Sequence, residues 1–195
     1  MTEAKIRLPL PTLESETSLE FCLAGRRSVR KFAEKNLQTK EVSQLLWAAA
    51  GSSNYKRTVP SAGALYPIVI YALWEYDLFR YMPTEHGLDP VNKLSSRQMQ
   101  LLCDFCLKQD SVYYAPLVIF VTANYESTTK RYGKRAERYV FMEAGHAGQN
   151  IALQAVALDL ACVMVGSFKD GRIKKLLGMN EYPLYVIPVG RAKSD

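Results

Sequence analysis

KRAERYVFMEAGHAGQNIALQAVALD (134–159) is the longest helical pattern in this 195-residue chain, and its reading decides the fold. The spacing predicts one helix from about Lys134 to Asp159. Its second half, with Ile151, Ala152, Leu153, Ala155, Val156, Ala157 and Leu158, is apolar nearly all round. Such a helix must be covered on every side, by its own domain or by a partner subunit. Ala144, Gly145, Ala147 and Gly148 add a patch of small residues. Glycine inside a helix costs about 1 kcal/mol against alanine, so these positions imply close approach by another helix. Packing within the chain and a dimer interface both meet that requirement.

Working outward, Ala161–Gly166 reads as a strand ending in a glycine turn. A short helix through Ile173, Leu176 and Leu177 and a last strand from Pro183 to Val189 follow. Upstream, Ile68–Leu73 and Pro116–Val121 read as buried strands, Leu78–Met82 with a turn at Pro83–Gly87 as a hairpin arm, and Met99, Leu102 and Cys106 as a helix face. Near the start, Thr17 or Ser18 caps a short helix ended by Gly25. Thr39 caps a second, with Glu41 in its first turn, Val42, Leu45, Leu46 and Ala49 on its apolar face, and Gly51 at its end. There is no internal repeat, low-complexity segment or linker. Residues 1–195 therefore form a single domain, mixed α/β or α+β, built around the long helix.

Composition narrows the class. With 48% apolar and 23% charged residues the chain reads as globular. It lacks an apolar run of about 18 residues, and Glu3, Lys5 and Arg7 interrupt any apolar core of a leader, so a cytoplasmic protein without a membrane span is expected. The four cysteines lie in apolar runs rather than in a disulfide framework. Cys103 and Cys106 form a C-x-x-C, but Leu101, Leu102 and Phe105 mark a core helix, and no metal set is completed. The net charge of +6 is spread along the chain. Its densest run, Lys130-Arg131-Tyr132-Gly133-Lys134-Arg135, reads as a solvated helix start, and no nucleic-acid partner is expected.

Two segments carry chemistry. Arg26-Arg27-Ser28-Val29-Arg30 packs guanidiniums and a hydroxyl together. In an extended segment Arg26, Ser28 and Arg30 face one way, a hook suited to a phosphate and the polar groups beside it. Pro60-Ser61-Ala62-Gly63-Ala64-Leu65-Tyr66-Pro67 places small residues between two prolines, a fixed loop over which a flat ring can lie. Together they point to a phosphorylated aromatic cofactor, and flavin mononucleotide (FMN) fits best. Gly166 is placed to offer a backbone N–H to the flavin N5, and Arg191 and Lys193 are further phosphate candidates. Neither a G-x-G-x-x-G nor a P-loop pattern occurs. His86 falls in a turn and His146 on the long helix near Glu143 and Asn150; no nucleophile–base pair emerges, and no catalytic side chain is secured.

With these residues in view, the chain resembles the nitroreductase-like flavoprotein superfamily, and within it the SagB-type branch of thiazole/oxazole dehydrogenases. RRSVRKF (26–32), PSAGALYP (60–67), LFRYMPTEHGL (78–88), YGKRAERYVFMEAGHAGQNIALQAVALDL (132–160), VGSF (165–168) and YPLYVIPVGR (182–191) carry the likeness in order. It implies an α+β fold, with a central mixed or antiparallel sheet flanked by helices and the long helix buried at the interface of a homodimer. It also implies FMN between the subunits. Arg26, Arg27, Ser28 and Arg30 would hold it from one subunit, and Pro60, Ser61, Ala62 and Gly63 would line the ring from the other. Gly166 with Val165 or Ser167 would sit at N5, and Arg191 near the phosphate. The azole-forming members use a lysine–tyrosine pair, whereas this chain has no Lys-Tyr step. Tyr66, after Leu65, is the nearest proton-handling candidate. The expectation is an FMN-dependent oxidoreductase passing hydride by a ping-pong mechanism from NAD(P)H to a small nitroaromatic or quinone acceptor. An azoline dehydrogenase acting on a modified peptide and a non-catalytic flavin-binding protein are the alternatives.

Overall fold

A computed structural model of the chain describes residues 5–53 and 56–193, so Glu3 lies outside the described residues. The first part contains β1 (Ile6–Arg7), α1 (Leu19–Gly25), α2 (Thr39–Ala50) and the short pair β2 (Ser52–Ser53) and β3 (Lys56–Arg57). Next come β4 (Ile68–Trp74), β5 (Asp77–Met82), β6 (Gly87–Lys93), α3 (Ser96–Phe105) and α4 (Asp110–Tyr114). The remainder is β7 (Leu117–Ala123), α5 (Glu126–Tyr132), α6 (Ala136–Ala157), β8 (Ala161–Cys162), α7 (Asp170–Leu177) and β9 (Tyr182–Gly190).

Seven strands form one sheet in the order β1-β6-β5-β4-β7-β9-β8. Every neighbouring pair is antiparallel, so the domain is α+β. All seven residues of the central β7 are buried, as expected of a strand covered on both faces. Ile119 and Val121 face α2 and α6, joining Val42, Leu45, Leu46, Val140, Ala147 and Ile151 in one core. Val118 and Phe120 face the other way, with Leu102, Val112, Ile173 and Leu177 of α3, α4 and α7. The sheet is thus the middle of three layers. All four cysteines are buried and free, and no helix among the described residues is long and apolar enough to cross a membrane.

Three sequence expectations shift, and an alternative left open for α6 narrows. The cap of α2 is Gln38, not Thr39: Val42 N–H bonds the Gln38 carbonyl at 3.1 Å, and the Glu41 carboxylate reaches back to the Gln38 N–H at 2.7 Å. The run 161–166 yields only the two-residue β8; beyond it the pairing with β9 thins to a 3.3 Å bond from Val163 N–H to the Pro188 carbonyl and an isolated bridge between Val165 and Val186. The basic run 130–135 is not the start of one helix. It closes α5 and forms a 3₁₀ turn, and Gly133 at φ 53° breaks the helical path before α6. Finally, α6 is not enclosed by its own chain: Leu153, Val156, Ala157 and Leu158 remain half-buried.

Candidate functional site

The hook follows directly from the end of α1. Arg26 leaves helical geometry with ψ 126°, and the chain then runs extended beside β8 and the residues after β9. Val29 N–H bonds the Cys162 carbonyl at 3.0 Å, Ala33 N–H the Arg191 carbonyl at 2.9 Å, and Lys193 N–H the Lys31 carbonyl at 3.1 Å. Phe32 is buried and anchors this lane. It sits so close to Gly190 that a Cβ there would stand 3.1 Å from its ring. Arg26, Arg27, Ser28, Arg30 and Lys193 are all exposed, so their donors are open to an anion. Arg191 is committed differently. Its Nη2 pairs with Glu41 Oε1 at 2.6 Å, tying the end of β9 to α2, while its Nη1 is buried without a partner.

The platform is a strained loop. Gly63 (φ 63°), Ala64 (54°) and Tyr66 (48°) all occupy the left-handed region, which L side chains rarely adopt. Glycine is required at 63, since a Cβ there would lie 2.6 Å from Tyr132 Oη. Pro60 and Gly63 are exposed and Ser61 and Ala62 half-buried, so the loop presents a surface of small groups. Ser61 Oγ accepts the Tyr66 N–H at 2.9 Å and donates its own proton to the Glu143 carboxylate on α6. Glu143 is 3% exposed and also accepts the Ile68 N–H. Burial pushes its pKa up, and those two hydrogen bonds with the nearby Arg57 pull it back. Arg57 lies 5.2 Å over the Tyr66 ring and donates to the Ala50 carbonyl at 3.0 Å.

Gly166 is exposed after the last pairing to β9. Val165 spends its N–H on the Val186 carbonyl at 2.9 Å, and the Ser167 carbonyl accepts from Gln109 Nε2 at 3.4 Å. A Cβ added at Gly166 would meet only Tyr185 Cε1, at 4.0 Å. Neither its φ nor its neighbours within the chain therefore call for glycine, which leaves room for an approaching ligand.

Hook and platform are far apart within one chain. Glu143 of α6 sits under the platform, whereas Val156 Cγ1 lies 3.4 Å from where a Cβ of Gly25, just before the hook, would be. At 1.5 Å of rise per residue those two positions on α6 are about 20 Å apart. The flank of α6 between them is open. Gly148 is closed by Met164 Sδ at 3.6 Å and Tyr185 at 3.8 Å, but nothing lies within 4 Å of a Cβ at Gly145. Phe141 (50%) and Met142 (55%) are exposed, as are Leu19, Phe21 and Leu23 of α1. A cavity of about 720 Å³ opens beside the second half of α6, between residues 12–17 and α2.

The sequence reading missed Glu143, Glu41 and Arg57 as parts of this arrangement. Glu143 left one signal: it is a carboxylate on the core stripe of α6, among Val140, Ala144, Ala147 and Ile151, all buried.

Residues 23–191 match the family described as the nitroreductase family. A protein of Methanocaldococcus jannaschii carrying the name nitroreductase is 41% identical over 194 residues, 95% of this chain and 96% of its own. The microcin B17-processing protein McbC of Escherichia coli is 24% identical over 183 residues, 84% of this chain and 66% of its own. A crystal structure described as a nitroreductase of Ralstonia eutropha JMP134 superposes with a TM-score of 0.86 at 27% identity, covering 99% of this chain and 91% of that one.

Proposed function

The chain belongs to the nitroreductase family, and from that premise we propose a homodimeric oxidoreductase that holds FMN between its subunits and passes hydride from NAD(P)H to a small electron-poor acceptor. The observation that carries this reading is the spacing of the two anchors on α6, Glu143 under the platform and Val156 beside the segment before the hook, about 20 Å apart, with His146 and Gln149 exposed and Gly145 uncovered between them. A two-fold axis across the middle of α6 sets each hook against the partner's platform and covers Phe141, Met142 and the half-buried end of the helix.

The donor set fits the cofactor. Arg26, Arg27, Ser28 and Arg30 are exposed, charge-assisted partners for a phosphate, and the unpartnered Nη1 of Arg191 is a further donor at the same end. Pro60, Ser61, Ala62 and Gly63 give a ring a floor of small groups, and the space at Gly166 lets its backbone approach the ring edge. When bound, FMN supplies two-electron chemistry between NAD(P)H and a nitroaromatic or quinone, used in turn at one ring face. The chain's own contribution is orientation, charge and exclusion of water. Tyr66 is the one proton-handling candidate, its ring under the Arg57 guanidinium.

The likeness to McbC favours a second reading, azoline oxidation on a modified peptide; the Leu65-Tyr66 step in place of Lys-Tyr counts against it. The purified protein should show a flavin spectrum that bleaches under anaerobic NADH or NADPH. Bleaching by neither would favour the peptide substrate or a non-catalytic flavin carrier. Arg30→Ala should weaken FMN binding about tenfold or more, as loss of a charge-assisted contact does. Unchanged affinity would place the phosphate elsewhere.

A further inference from the structure

We propose that Glu143 is a positioning residue for the platform: its buried carboxylate holds Ser61 and Ile68 and so keeps the loop between them in its left-handed conformation. Its importance for ring binding rests on the platform reading above. Ala64 and Tyr66 stand at φ 54° and 48°, and such backbone persists only where the surroundings over-determine it. Within the loop, Ala64 N–H bonds the Ser61 carbonyl at 3.1 Å, and the Arg57 guanidinium lies 5.2 Å over the Tyr66 ring. Arg131 Nη1 reaches the Gly63 carbonyl only at 3.4 Å. The strong tie is Ser61, whose oxygen accepts the Tyr66 N–H at 2.9 Å, leaving its single proton for Glu143.

Two donors, the Ser61 hydroxyl and the Ile68 N–H, converge on Glu143. A carboxylate accepts both with separate oxygens; an amide of the same shape offers one oxygen and turns an NH₂ group towards the other donor. The base of this latch cannot move, because Val140, Ala144 and Ala147 beside Glu143 are each 2% exposed or less. The loop is thus referenced to the buried face of α6 rather than to its own flanks.

Hydrogen exchange on the purified protein, without added flavin, tests the latch directly. In Glu143→Gln the amides of Tyr66 and Ile68 should lose protection about tenfold or more, while the amides of the central strand β7, away from the latch, keep wild-type protection. A merely structural contribution would move both together. Ser61→Ala should produce a similar local loss, and the Ser61→Ala/Glu143→Gln double variant should be no worse than the poorer single. Wild-type protection in Glu143→Gln, or fully additive losses, would overturn the latch. FMN titration separates this from the functional reading. Weaker FMN binding in both Glu143→Gln and Arg30→Ala supports both. Weakening in Arg30→Ala alone overturns the positioning role and leaves the flavin site standing. A wild-type protein that takes up no FMN overturns the flavin site, and the exchange data still decide the latch.

Discussion

Single residues divide here into those whose chemistry is local and those whose partners lie far along the chain. The hook and the platform belong to the first kind. Clustered guanidiniums and proline-bounded small residues stand out within a few positions, so the use proposed for them is read from local sequence. Glu143 belongs to the second: its partner Ser61 comes from a distant loop, and only the fold unites them. Gly63 shows how tightly the platform is set. Gly63→Ala meets both a left-handed φ and the Tyr132 hydroxyl, and should destabilise by about 1–3 kcal/mol, read as a lower melting temperature. The four cysteines are all buried and free. Burial pushes Cys106 up to about 12 and Cys162 to about 11, and raises Cys103 as well. A thiol reagent should label none of the four until the protein is unfolded. Labelling of Cys103 or Cys106 in the native state would revive a redox role for the C-x-x-C.

Among the elements, α6 and the buried strands β4, β7 and β9 were legible because periodicity and apolar runs report packing directly. The short α4 and α5 were not, having too few turns to show a stripe, and β8 was overestimated because its pairing with β9 thins to an isolated bridge at Val165. Central β7 bears the load on both faces, so Phe120→Ala should cost about 3–5 kcal/mol in denaturant unfolding. The β5–β6 hairpin carries a pH response. His86 at its turn lies 2.8 Å from Ser43 Oγ and the Pro9 carbonyl through Nε2, and 2.8 Å from Tyr81 Oη through Nδ1. Burial holds its pKa below the usual imidazole range, opposed by the Pro9 hydrogen bond. The unfolded chain therefore binds this proton more readily than the folded one. His86's contribution is complete above about pH 6.5 and is lost as pH falls through the lower folded value. Thermal melts from pH 7.5 to 5 should show that decline, and His86→Gln should flatten it.

For the whole molecule, the α+β class was legible, but the strand order was not, since β4–β7 and β7–β9 join segments separated by helices. The expectation that hook and platform come from different subunits rested on the family resemblance alone, because sequence spacing says nothing of the length of α6 that intervenes. The proposed dimer makes a test that no single chain can pass. Arg30→Ala and Gly63→Ala subunits, each defective alone, should recover one intact site per mixed dimer when refolded together. FMN uptake in the mixture should rise well above that of either parent, and no recovery would place both segments in one subunit's site. The inner position of β9, between β7 and β8, also bears on biosynthesis. On the ribosome, β7 emerges with β4 already available on one side, but its other edge waits for residues 182–190. At about 5–20 residues per second that wait lasts several seconds. Throughout it a largely apolar strand offers unpaired N–H and C=O groups to any neighbouring nascent chain, so the yield of this protein in a cell should be governed by translation speed and chaperone supply across that interval.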